Sequence, residues 1–143
     1  MFNPSRDQVR TFFIDAWRKH TAREVLTPLE TIAADILQNH PEYHALVEDP
    51  EAVDRDFAPE DGQVNPFLHL SLHLAIEEQL SIDQPPGLRA AFDAACAQRG
   101  NRHDALHDVL ECLGETIFNA QRNNAPPDGL AYLTCVRQRA GLL

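Results

Sequence analysis

The segment from Pro66 to Leu80, PFLHLSLHLAIEEQL, constrains the fold of this chain more than any other stretch. Its apolar residues would cover nearly the whole circumference of a helix, and such a helix is usually buried in a core. It nevertheless contains His69, His73 and Glu77 at intervals of four. Because a buried carboxylate is costly unless it is paired, we expect these groups to share a cation, a hydrogen-bond donor or a site open to water.

The same HxxxHxxxE spacing occurs twice more, in HPEYHALVE and in HDALHDVLE. Random placement of the seven histidines would give roughly 0.3 pairs at this spacing, about tenfold fewer than the chain has. On a helix, residues i and i+4 share a face and can bind one ion, whereas residue i+8 lies about 12 Å along the axis. A complete site therefore needs two or three converging helices.

The pattern gives a ranked set of metal-ligand candidates. The order is His69, His73, Glu77, His107 and Glu111, then His44 and His103, then Glu48 and His40, the last of which precedes proline. Imidazoles and carboxylates without thiolates favour iron, manganese or zinc over copper(I), and carboxylates can bridge two ions. We predict a non-haem dinuclear centre, with iron first and manganese or zinc as substitutes, for oxygen or peroxide chemistry or for sensing.

Three other interpretations fit the same residues. A His-Glu pair at i,i+4 can simply stabilise a helix by a few tenths of a kcal/mol, and a glutamate can accept an imidazole N–H without touching metal. The second interpretation, from a different class, is a metal-free interaction module whose acidic connector, residues 49–63, binds a basic partner. A mononuclear structural zinc site is the third interpretation, and it predicts a closed coordination shell. None of these patterns selects a reaction.

The length of the chain indicates how many domains it forms, and its net charge indicates which partners it can bind. The chain has 143 residues and a formal charge of -10, from 22 acidic and 12 basic side chains. Its length fits one domain, residues 1–143. An acidic surface repels phosphate backbones and attracts metal cations, so we predict no nucleic-acid partner.

The cysteines and the N-terminal sequence indicate the cellular compartment in which the protein is expected. Cys96, Cys112 and Cys135 are widely spaced and form no CxxC pair, which argues against a disulfide framework and fits a reducing cytosol. The sequence lacks both a signal-peptide pattern and an apolar run of about 18 residues. We therefore predict a cytoplasmic protein without a membrane partner.

Apolar residues recur at intervals of three and four throughout the chain, and prolines stand where helices would start. No segment shows the alternation typical of strands. We predict an all-α, single-domain helical bundle of six or seven helices. The predicted ranges are 4–22, 28–39, a short helix at 41–48, 66–82, 88–98, 101–123 and 130–139.

Three long stretches resemble a known family. HPEYHALVEDPEA, NPFLHLSLHLAIEEQLSIDQPPG and HDVLECLGETIFNAQRNNAPPDGLAYL are similar to the bacterial domain-of-unknown-function family 1841, over nearly the whole chain. That resemblance implies a small α-helical cytoplasmic protein and supplies no catalytic residues. More loosely, the elements HLSLH, HLAIE and HDVLE resemble those of hemerythrin-like bundles, which implies a di-iron centre.

Overall fold

Seven α-helices account for most of the chain that the structure describes. The structure, a computed structural model, describes residues 5–54 and 65–143. The helices are α1 (Arg6–Thr21), α2 (Pro28–Gln38), α3 (His44–Val47), α4 (Pro66–Ile82), α5 (Leu88–Arg99), α6 (Arg102–Arg122) and α7 (Gly129–Arg139), with 3-10 helices at Pro41–Tyr43 and Pro50–Asp54. No strand occurs in these two ranges. The all-α prediction of six or seven helices is confirmed.

Side-chain caps explain why the sequence predicted most helix starts well. Ser5 and Thr27 each accept a hydrogen bond from the backbone N–H three residues further on, as the first half of a capping box. Asn101 and Asp128 likewise accept from backbone N–H groups at the starts of α6 and α7. Each cap satisfies a donor that the first helical turn leaves without an intrahelical partner.

The chain divides into two compact units, residues 1–74 and residues 75–143, with the boundary inside α4. In the first unit, α1 packs against α2, α3 and the Pro50–Asp54 segment. The core of this unit contains Phe13, Ala16, Trp17, Ala33, Ile36, Leu37, Val47, Ala52, Phe67 and Leu70. The predicted single domain, residues 1–143, stays a prediction.

In the second unit, α5, α6 and α7 pack against one another in pairs. The buried apolar residues of these three helices include Leu88, Ala91, Phe92, Ala95, Ala105, Leu106, Val109, Leu113, Tyr132, Leu133 and Val136. A disulfide between Cys112 and Cys135 joins α6 to α7. The expectation of no disulfide is therefore wrong, because helix packing brings together two cysteines that lie 23 residues apart in sequence.

The acidic connector predicted at 49–63 falls only partly within the described residues. Its first part is the Pro50–Asp54 helix, where the buried Arg10 guanidinium donates through Nη1 to the carbonyls of Ala52 and Val53, at 3.2 and 3.0 Å. Residues 55–63 lie outside the described ranges. Among the described helices, none is long and apolar enough to cross a membrane.

Candidate metal centre

The site in the first unit begins where α2 ends. Proline disfavours helical geometry in the residue before it, and His40, which precedes Pro41, has left the helix with φ -131°. Its side chain is buried, with 3% exposed. His40 Nδ1 lies 2.8 Å from the carbonyl oxygen of Ile36. Because a carbonyl can only accept, Nδ1 carries the proton, and Nε2 presents a lone pair in neutral His40.

Two histidines of α4 lie next to this nitrogen of His40. His69 Nε2 lies 3.2 Å from His40 Nε2 and 3.1 Å from His73 Nε2. The candidate ligand atoms of the three residues all lie within 4.8 Å of one another. His73 is 2% exposed and His69 is partly buried. We call these three residues, His40, His69 and His73, the histidine cluster.

Tyr43 covers one side of the histidine cluster. Its ring stacks nearly parallel on His40, with centroids 5.6 Å apart, and meets His69 edge-on at 5.9 Å. Burial, with a smaller contribution from the charge of Glu42, raises the pKa of Tyr43. The phenol therefore stays protonated at neutral pH and adds no negative charge beside the three imidazoles.

His44 and Glu48 belong to the same HPEYHALVE motif as His40, but their side chains contact other residues. His44 stacks on Trp17 with ring centroids 4.3 Å apart, and its Nε2 lies 2.7 Å from the carbonyl oxygen of Leu37. That nitrogen must donate, so it offers no lone pair to a metal while the bond holds. Glu48 accepts a hydrogen bond from Trp17 Nε1 at 3.2 Å.

In the second unit, the two highest-ranked carboxylates are paired with arginines. Glu77 forms a two-pronged ion pair with Arg102, in which both N···O distances are 3.0 Å. Glu111 Oε2 accepts from Arg139 Nη1 at 2.6 Å. The carboxylates hold the pKa of both arginines above its ordinary value. A metal ion would have to displace a guanidinium to bind either group.

His103 and His107 form a pair on α6. Their ring centroids lie 4.4 Å apart, and His107 Nδ1 lies 2.9 Å from the carbonyl oxygen of His103. By the argument used for His40, His107 then presents Nε2 as its lone-pair nitrogen. His103 is exposed and His107 is partly buried. Their roles as ligands stay predictions of the sequence pattern.

His40, which the sequence pattern ranked last, lies beside His69 and His73 in the structure. Helical spacing relates residues of one helix, but His40 lies beyond the end of α2, so no helical wheel gives its direction. The available signal was the His-Pro junction itself, which marks a histidine in non-helical backbone directly after an amphipathic helix. The sequence pattern instead ranked His44, which lies inside α3, above His40.

Comparisons with known proteins give a family and nothing more specific. No curated protein and no solved structure matches the chain. The predicted likeness to hemerythrin-like bundles therefore stays a prediction. A family model described as a domain of unknown function, DUF1841, matches residues 5–138, nearly the whole chain. The chain belongs to the DUF1841 family.

Proposed function

We propose that this protein binds one divalent first-row transition metal through the Nε2 atoms of its histidine cluster. The observation that carries the proposal is the pair of short nitrogen-to-nitrogen contacts at His69, 3.2 Å to His40 and 3.1 Å to His73. Three imidazole nitrogens this close together form a ligand set typical of iron, zinc, copper or nickel.

When all three rings are neutral, well-directed hydrogen bonds cannot form at both contacts, because a single N–H on His69 Nε2 can reach His40 and His73 together only as a bent, shared bond. His40 Nε2 is then an acceptor, since its Nδ1 donates to Ile36. If His69 Nε2 donates to His40, it has no in-plane lone pair left for His73. If instead it accepts from His73, two lone pairs face each other across 3.2 Å. A cation between the nitrogens removes the conflict.

The spacing of the nitrogens suits a metal ion. With metal-to-nitrogen bonds of about 2.0–2.1 Å, tetrahedral coordination places neighbouring nitrogens about 3.3–3.4 Å apart. Octahedral coordination brings neighbouring ligands to about 3.0 Å at similar bond lengths. The observed 3.1 and 3.2 Å lie between these values. The Ile36 carbonyl also supplies the outer hydrogen bond that usually orients a metal-binding imidazole.

A mononuclear centre fits the described residues better than the dinuclear one predicted from sequence. Di-iron centres in helical bundles are typically built with carboxylates from the bundle helices. Glu77 and Glu111 are neutralised by Arg102 and Arg139. Glu48 is engaged by Trp17. An all-imidazole set also disfavours manganese, which prefers oxygen ligands.

Three protein ligands leave at least one coordination position for water or a small molecule. If the ion is iron, that position is where dioxygen or peroxide would bind, which retains the chemistry expected from the sequence. If the ion is zinc, it would lower the pKa of bound water towards neutrality. His107 remains a candidate fourth ligand from the sequence pattern alone, and a four-histidine set would instead favour a structural site.

The test is metal analysis of protein purified without a histidine tag, followed by cobalt(II) substitution. We expect close to one ion per chain. In the cobalt-loaded protein, intense visible absorption would indicate four-coordinate geometry and weak absorption would indicate six-coordinate geometry. An added anion such as azide should change the spectrum if a position is open.

The matched control is His103→Ala, which changes an exposed histidine outside the cluster. It should keep the metal that His40→Ala and His69→Ala lose. Equal metal content in all these proteins would contradict the proposal. A metal-free wild type, unaffected by chelator or by added metal, would support the interaction module instead.

A further inference from the structure

A cavity of about 520 Å³ lies between the end of α6 and the start of α7, and both half-cystines line it. Its other lining residues include Glu115, Asn119 and Asp128. This volume is within the usual range for small-molecule sites. We propose that the Cys112–Cys135 disulfide is a thiol-exchange site, which a peptide-sized thiol opens through this cavity. The proposal does not depend on the metal.

The two half-cystines differ in their exposure to solvent. Cys112 is completely buried on α6, whereas Cys135 is partly exposed on α7. A thiolate must reach the sulfur that it attacks, and access therefore decides which half of a disulfide reacts. The exposed half, Cys135 Sγ, is the electrophile in this site.

The exchange proceeds in two balanced steps. The incoming thiolate forms a bond to Cys135 Sγ as the bond between the two half-cystines breaks, and the electron pair leaves on Cys112, which takes a proton from water. A second thiolate then attacks the sulfur of the bound thiol and releases Cys135 as a thiolate. In sum, two small thiols are oxidised to their disulfide and the protein disulfide is reduced to two thiols.

Other contacts hold α7 in place when the disulfide is open. Arg139 pairs with Glu111 at 2.6 Å and with Asp108 at 3.9 Å, both on α6. The Tyr132 hydroxyl donates to Gln79 at 2.7 Å. Because these contacts do not involve sulfur, the two thiols stay near each other, and a small disulfide can close the bond again.

Glu115 sets the charge at the attacked sulfur. Its Oε2 lies 4.0 Å from Cys135 Sγ. A carboxylate at this distance repels an approaching thiolate. We therefore expect Glu115→Gln to exchange several-fold faster than the wild type, without a change in which cysteine is attacked.

The experiment uses the full folded chain and glutathione as the probe. Wild type is incubated with reduced glutathione, quenched with acid, and mapped by peptide mass spectrometry over time. We expect a mixed disulfide on Cys135 before both thiols become free. Cys112→Ser, treated with oxidised glutathione, should accumulate the adduct on Cys135. Cys135→Ser should leave the buried Cys112 unmodified while the protein is folded.

Cys96→Ser is the matched control, since the pKa of the Cys96 thiol is raised chiefly by burial and this residue should take no part. Attack on Cys112 first would overturn the proposal. So would a disulfide that glutathione opens in the urea-unfolded chain but leaves intact in the folded one. The wild-type arm decides the question even if a cysteine variant fails to fold, which circular dichroism would reveal.

Discussion

The two units use the same residue types in opposite ways. In the first unit, three imidazoles converge, and Glu48 accepts from an indole N–H instead of joining them. In the second, Glu77 and Glu111 are each paired with an arginine. One set consists of imidazoles that contact one another, and the other consists of carboxylates that each contact a guanidinium of the chain. The recurrence of a spacing therefore does not imply recurrence of a metal site.

The difference follows from where cations occur in the sequence. Arg102 lies directly after the α5 to α6 turn and reaches Glu77, and Arg139 lies in the last turn of α7 opposite Glu111. A guanidinium matches a carboxylate with two parallel hydrogen bonds, and this match satisfies the charge without an ion. Neighbouring imidazoles cannot form such a two-bond match with one another, and this difference motivates the proposal of metal binding at the histidine cluster.

The largest expected effect is on metal binding by His73→Ala. Removing one imidazole of three should lower affinity by at least about a thousandfold, or roughly 4 kcal/mol, since structural zinc sites gain about 10–16 kcal/mol from all their ligands. Competition with a chelator of known affinity measures the change. His73 is also buried, so the apo variant should be compared with apo wild type by urea unfolding.

The metal affinity of His107→Ala is the most informative value to compare with that of His73→Ala. If the second unit contributes no ligand, this variant keeps wild-type affinity, as His103→Ala should. If affinity falls as far as in His73→Ala, the sequence prediction for His107 is correct and the site has a fourth histidine. Unchanged affinity in His73→Ala would remove the histidine cluster as the metal site.

The next largest expected effect is on the free energy of unfolding, and it comes from the disulfide of the second unit. Reducing the Cys112–Cys135 disulfide frees a loop with a sequence separation of 23. Chain-entropy arguments for a loop of this size predict a loss of about 3.4 kcal/mol in the free energy of unfolding. Urea unfolding with and without reductant measures it, with Cys96→Ser as the control. A reduced protein as stable as the oxidised one would contradict the prediction.

Asp108→Asn should cost about 2 kcal/mol, because Asp108 is buried and accepts two hydrogen bonds from Arg99, at 2.8 and 2.9 Å. The pairing with Arg99 holds the pKa of Asp108 below its ordinary value. A depressed folded-state pKa gives stability that is present above the unfolded pKa, about 3.9, and is lost as pH falls through the folded pKa.

Urea unfolding at several pH values tests this dependence. The gap between wild type and Asp108→Asn should be constant from neutral pH down to about 5 and should shrink below about 4. Glu115→Gln, which changes an exposed carboxylate, is the control for general acid effects. A gap that does not change with pH would show that the ion pair with Arg99 is not its cause.

The sequence predicted what local chemistry determines. Helix starts were predictable because Ser5, Thr27 and Asn101 are caps that act within three residues. His69 and His73 were predictable because both lie on one continuous helix, and helical spacing fixes their common face. These features require no knowledge of how helices pack.

The features that were missed depend on packing or on non-helical backbone. His40 has its direction set by a pre-proline turn, which spacing does not describe. Cys112 and Cys135 meet only because α6 packs on α7. The arginine partners of the glutamates are also tertiary contacts, since Arg102 lies 25 residues from Glu77. Without them, the glutamates appeared available to bridge two metal ions.

The smallest expected effect is the one that best separates a mononuclear from a dinuclear centre. Glu77→Gln breaks an ion pair whose arginine is 55% exposed, so it should change the free energy of unfolding by only about 0.5 kcal/mol. If Glu77 is only the partner of Arg102, metal stoichiometry and affinity remain at wild-type values. If Glu77 bridges two ions, the same substitution removes metal, and Arg102→Gln, which frees the carboxylate, should strengthen binding. The pair of variants therefore shows whether the carboxylates of the second unit belong with the histidine cluster or with their arginines.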